Sequence, residues 1–145
     1  MSLPRLFFDA DVLIAGSASA TGASRLLLKA AELGLVEGVT SQQAATEAAR
    51  NLSEKLPSVV PAFQELLASC VTVLPDPSAE QENALRGQAH PEDLPLLAAA
   101  VQSRSHFLVT FNVRHYFPTG GSLRVLRPGA LMTIIRQQLI EMTQG

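Results

Sequence analysis

The chain has 145 residues, of which 47% are hydrophobic and 17% charged, enough for one substantial core and too apolar for a disordered tail. A formal net charge of -2 excludes a global basic field, so nucleic-acid contact would have to come from a local patch. The single cysteine, Cys70, forms no internal disulfide, no apolar run reaches membrane-span length, and no charged leader opens the chain, so a cytoplasmic protein without membrane association is expected.

Within Arg5 to Ile14, Leu6-Phe7-Phe8 reads as a strand buried on both faces, meeting Asp9 and Asp11 at its C-terminal end before more apolar residues. Asp9 there either caps the next turn or faces the crevice beyond the strand ends, where ligands bind in open α/β sheets. Gly16 to Gly22 is rich in Ser, Ala and Gly and reads as a mobile loop. Leu26, Leu27, Ala30 and Leu33 recur at helical spacing, with Gly34 as the stop. Leu35 to Val39 is a second strand, weakened by Glu37 and Gly38. Thr40 with Gln43 has the capping-box form, and the helix it opens runs to about Lys55, stopped by Pro57. Glu47 falls at the edge of that helix's apolar side.

Val59 to Ser69 gives another amphipathic helix, with Pro61 in its first turn. Val71 to Leu74 is a β-branched strand closed by Pro75-Asp76-Pro77. Ser78 with Gln81 forms a capping box for a polar helix to about Gln88. His90-Pro91-Glu92-Asp93 begins a helix whose Leu94, Leu97, Ala98 and Val101 form the buried stripe. Phe107 to Thr110 is the next strand, Asn112 to Tyr116 a polar turn, and Leu123 to Leu126 the last strand. Pro128 opens a final helix carrying Leu131, Ile134, Ile135 and Leu139. Strands alternating with helices imply right-handed crossovers and a roughly five-stranded parallel sheet covered on both faces. One α/β domain, three layers α/β/α, is expected over residues 1–145.

Asp9, Asp11, Glu47, Asp93 and Asn112 all fall near strand ends or helix starts. Each has an ordinary structural alternative: Asp93 as a helix-start acid, Glu47 as a helix-edge residue, Asn112 as a turn residue. Their convergence at one end of one sheet is what points to chemistry. Two carboxylates about 4 Å apart repel by roughly 4 kcal/mol at an effective dielectric near 20. Such a cluster takes up protons unless a cation neutralises it, and hard oxygen ligands suit Mg²⁺ or Mn²⁺. There is no Gly-rich P-loop and no Cys/His zinc spacing.

Four stretches carry a resemblance: Phe8-Asp9-Ala10-Asp11-Val12-Leu13; Thr46-Glu47 through Arg50-Asn51-Leu52 to Lys55-Leu56-Pro57; Glu92-Asp93-Leu94-Pro95-Leu96-Leu97-Ala98-Ala99-Ala100; and Leu108-Val109-Thr110-Phe111-Asn112-Val113-Arg114-His115-Tyr116-Phe117. In order and over nearly the whole chain, they resemble the successive motifs of PIN domains. The resemblance implies a PIN-like parallel sheet and Mg²⁺- or Mn²⁺-dependent cleavage of RNA, with small bacterial members acting as VapC-type toxins paired with an antitoxin protein. It implies Asp9, Glu47 and Asp93 as metal-binding acids, Asn112 as a fourth catalytic position, and a homodimer. Asp11 stands where the family usually carries Asn or Ser, and Asn112 where many members carry Asp.

Asp11 and Thr110 are accessory candidates. Arg114 and His115, just past Thr110, are the best-placed candidate RNA contacts, while Arg50, Lys55 and Arg104 could contribute but read first as solvated surface cations. Tyr116, Phe117 and Phe111 could each stack on a base, with core packing the first reading for both phenylalanines. Two rival readings exist. One is a non-catalytic PIN-like module binding RNA or antitoxin. The other is a haloacid-dehalogenase-like phosphatase with Asp9 as nucleophile, which needs a positioned lysine; the chain has only Lys29 and Lys55.

Overall fold

A computed structural model describes residues 2–144. Five parallel strands form one sheet in the order β3-β2-β1-β4-β5. In chain order the strands are β1 (Arg5–Phe8), β2 (Glu37–Ser41), β3 (Thr72–Leu74), β4 (Phe107–Val109) and β5 (Arg124–Leu126). The helices are α1 (Ala10–Ala18), α2 (Ala23–Glu32), α3 (Gln42–Lys55), α4 (Val60–Cys70), α5 (Ala79–Asn83), α6 (Leu94–Gln102) and α7 (Pro128–Met142). α1 to α4 pack on one another and α7 joins them against α2, while α5 packs on α6. Right-handed crossovers account for the two helical layers: the chain steps outward from β1 to β3, then returns over the opposite face to β4. The result is the expected three-layer α/β/α arrangement.

β1 sits at the centre, and Leu6, Phe7 and Phe8 are buried as a strand covered on both faces must be. Leu108 and Val109 of β4 are equally buried beside it. The order reverses between β1 and β4, which opens a crevice at their carboxyl ends. Gly38, which makes β2 look weak as sequence, is required by close approach: a Cβ there would lie 2.5 Å from the Cys70 carbonyl oxygen. Cys70 itself is buried in the core.

Several boundaries differ from the sequence reading. The stretch 16–22 is not one loop, because α1 continues to Ala18 and buries Gly16 and Ser17. Ser17 stays helical by donating to the Leu13 carbonyl at 2.8 Å, and Gly16 passes against Leu28. Ser41, not Thr40, caps α3, accepting from the Ala44 N–H at 3.1 Å. Thr40 belongs to β2 and donates instead to the Phe8 carbonyl at 2.7 Å. The Ser78–Gln81 capping box is present, but α5 ends at Asn83 and a turn through Gly87, with φ of +86°, follows. In α6 the buried run is Leu96 to Ala100 while Val101 is 43% exposed, since this short helix is covered around most of its girth. In α7 Leu131 is buried but Leu139 is 57% exposed.

Candidate functional site

Asp9 is the first residue beyond β1 and the cap of α1, so sheet and helix both fix it. Its Oδ1 accepts from the Ala10 N–H at 2.7 Å. Its Oδ2 accepts from Thr110 Oγ1 at 2.7 Å and from the Tyr116 hydroxyl at 3.2 Å. Burial raises its carboxyl above the usual range; those three hydrogen bonds pull it back and the charge of Asp93 adds to the rise. Tyr116 is raised far above an ordinary phenol, first by burial and then by the Asp9 charge, so it stays a donor.

Asp11 lies in the first turn of α1. Its Oδ2 accepts from the Phe111 N–H at 3.0 Å and from Asn112 Nδ2 at 3.2 Å. Thr110 Oγ1 stands 3.4 Å from Asp11 Oδ2, but its one proton serves the shorter bond to Asp9, and Thr110 Oγ1 in turn accepts from the Asn112 N–H at 3.1 Å. Asp11 Oδ1 is buried with no hydrogen-bond partner. Burial first, and Asp9 second, push the Asp11 carboxyl up to about 6.

Glu47 enters from α3 and Asp93 from the turn before α6. Glu47 is exposed, yet its carboxyl is raised by partial desolvation and then by Asp9 and Asp93, with Arg50 opposing. Asp93 caps no backbone N–H; it holds the His115 ring through Nδ1 at 2.9 Å. Asp9, Asp11, Glu47, Glu92, Asp93, Asn112 and His115 line a cleft of about 340 Å³ at the carboxyl end of the sheet. A larger hollow, about 530 Å³, lies at the amino ends of β1 to β3; there Glu37 is paired with Arg5, so it lacks an unneutralised acidic cluster.

All the sequence-derived acids therefore reach one cleft, and Asn112 reaches it too, as a donor to Asp11. Arg50 lines an adjoining hollow with Glu47, and Arg114 is exposed. The two phenylalanines are not core: Phe111 is 42% and Phe117 45% exposed, because both lie on the loop after β4, outside the packed layers. Tyr116, the proposed stacker, is buried against Asp9 instead. The sequence assigns no role to Glu92 or His90, and no local pattern links Tyr116 to Asp9. His90 stacks on His115 with ring centroids 4.3 Å apart, a contact that no spacing rule reveals.

The fit to a divalent cation rests on this chemistry. The carboxyls of Asp9, Asp11 and Glu47, raised by burial first and by neighbouring acids second, share one cleft with an orphaned buried oxygen at Asp11. Asp9, Glu47 and Asp93 line it together without meeting as tightly as His90, Asp93 and His115, whose ligand atoms all lie within 4.8 Å of one another. Oxygen donors of this kind suit Mg²⁺ or Mn²⁺, and Mg²⁺ keeps several waters among its ligands.

Fold and site together define an α/β protein with an acidic cleft at the switch point of a parallel sheet. The PIN domain family model matches residues 5–114, and the chain belongs to that family. No curated protein matches it. Among solved structures it is similar to VapBC2 from Rickettsia felis bound to a promoter DNA fragment, at 14% identity and a TM-score of 0.62, over 83% of this chain and 96% of that one. It is also similar to Mycobacterium tuberculosis VapC20, a toxin cleaving the sarcin-ricin loop, at 18% identity and a TM-score of 0.49, over 71% and 86% respectively. Among the described residues no helix is long and apolar enough to cross a membrane.

Proposed function

We propose that this chain is a Mg²⁺- or Mn²⁺-dependent endoribonuclease, working as one PIN-like domain and as the VapC-type toxin of a toxin–antitoxin pair. The observation that carries the reading is the cleft itself, with Asp9, Asp11, Glu47 and Asp93 facing one volume and an unpartnered Asp11 oxygen. Asp9, Glu47 and Asp93 would hold the cation, with Asp11 beside them. The chemistry such an ion supplies is polarisation of a phosphoryl oxygen and activation of a water.

The chain's own groups set up that chemistry. Thr110 and Tyr116 hold Asp9 in one orientation, and Asn112 with the Phe111 N–H holds Asp11. His115, on Asp93, is the cation-capable group inside the cleft. Arg114 and Arg50 flank it as phosphate contacts, and exposed Phe111 and Phe117 offer faces on which bases can stack. Few cations take part, so the affinity for RNA should fall only modestly with salt.

An antitoxin protein and a second copy of the chain are the partners of this reading. Leu139, Ile140 and Met142 leave an apolar strip on α7 that either could cover. The phosphatase alternative loses support, since Lys29 is paired with Glu32 and Lys55 ends α3, neither of them lining the cleft. The non-catalytic alternative is separated by one assay: Mn²⁺-dependent degradation of mixed RNA, with chelator and Asp93→Asn as controls. Cleavage by the parent chain alone, abolished by chelator, supports the nuclease. Binding of RNA without cleavage, in both proteins and with manganese present, would leave only a binding module.

A further inference from the structure

Next to the acidic cleft the structure assembles a different donor set. His90 and His115 stack with centroids 4.3 Å apart and rings inclined by 23°. Asp93 joins them through the 2.9 Å contact with His115 Nδ1, which leaves the second imidazole nitrogen and the second carboxylate oxygen free to bond elsewhere. The backbone beneath is clamped. The His90 N–H donates to the His115 carbonyl at 2.9 Å, the Asp93 N–H to the His90 carbonyl at 2.9 Å, and the Phe117 N–H to the Gln88 carbonyl at 2.9 Å. An antiparallel bridge joins Ala89 to Tyr116. Two loops far apart in sequence thus present both imidazoles and the carboxylate from fixed positions.

We propose that His90, Asp93 and His115 form a transition-metal site, distinct in chemistry from the oxygen-lined cleft, that takes Zn²⁺ or a similar borderline ion. Two imidazoles and one carboxylate suit zinc, cobalt or nickel, whereas magnesium prefers oxygen donors. The ligand atoms lie within 4.8 Å of one another. A tetrahedral ion with bonds of ~2.0–2.2 Å spaces its ligands by roughly 3.4 Å. Rotation of the side chains on the clamped backbone closes that difference. Three protein ligands leave a fourth position open to water. Asp93 belongs to both donor sets, so zinc held here withdraws it from the cleft.

The site does not depend on the nuclease reading, and its test reads binding, not activity. Zinc is titrated into the protein in excess magnesium, with calorimetry for affinity and the imidazole proton signals followed by NMR. The chain has three histidines, so His106 is an internal control. One ion per chain, with the His90 and His115 signals shifted and that of His106 unmoved, is the expected result. His90→Gln and His115→Gln, checked for folding by near-UV circular dichroism, should each weaken zinc by about tenfold or more, the scale at which even indirect partners act. Asp9→Asn should leave zinc affinity in place. Unmoved His90 and His115 signals in the parent chain overturn the site without recourse to any variant. So does loss of zinc binding in Asp9→Asn with affinity retained in both histidine variants, which would put the ion among the acids.

Discussion

Thr110 shows how much a single hydroxyl can carry here. It donates to Asp9 and accepts from the Asn112 N–H, joining the ends of β1 and β4 across the cleft. Thr110→Val keeps the shape and removes both bonds, leaving a buried carboxylate short of a donor. A loss of about 2–3 kcal/mol in urea denaturation is expected, since hydrogen bonds to charged groups sit at that level. Asp11 has the opposite sign. Its carboxyl is raised from 3.8 to about 6 in the folded protein. Below about 4 it is protonated in both states; between there and about 6 the folded chain keeps a proton that the unfolded chain has released. The metal-free protein should therefore lose stability as pH rises through that window, and Asp11→Asn should flatten the loss. A melting temperature that climbs across the window in the parent chain, or an unchanged profile in the variant, would show that Asp11 does not set it.

At the scale of elements, the contact between β2 and the end of α4 allows no side chain at Gly38. Gly38→Ala must displace a backbone carbonyl, not the flexible end of a side chain, so a cost of about 1–3 kcal/mol is expected in thermal or urea unfolding. The cap of α3 allows a sharper test. Ser41→Ala should cost about 1 kcal/mol by the loss of its bond to the Ala44 N–H. The neighbouring Ser/Thr choice was ambiguous in sequence because Thr40-Ser41 offers two hydroxyls in a row. The sheet resolved it, since Thr40 is the last interior β2 position and its hydroxyl reaches β1. In the same way local pattern does not announce the full length of α1. Its Gly16 and Ser17 look like loop residues until Leu28 and the Leu13 carbonyl are seen beside them.

For the whole molecule, the consequence of a crowded acidic cleft is coupling between metal and stability. If Mn²⁺ binds the folded chain alone, about 100 times its Kd of free ion should add ~2.7 kcal/mol, seen as a melting temperature several degrees higher and reversed by chelator. Asn112→Asp removes a donor from Asp11 and adds a like charge beside it. The metal-free form should melt lower and manganese should bind more tightly; unchanged affinity by calorimetry would mean position 112 does not face the ion. The order of strands and helices, the buried central strand and the roster of acids were legible in the sequence because they follow from local periodicity, turn residues and motif order. Which groups meet was not. Asp11 and Asn112 are 101 residues apart, as are Thr110 and Asp9, and His90 and His115 are brought together by a bridge between two loops. Local pattern records what each segment becomes, whereas pairing across the sheet depends on crossovers and burial that exist only once the chain has closed on itself. That is why the acids could be named from the sequence, while the orphaned oxygen, the buried Tyr116 and the paired imidazoles belong to the tertiary structure alone.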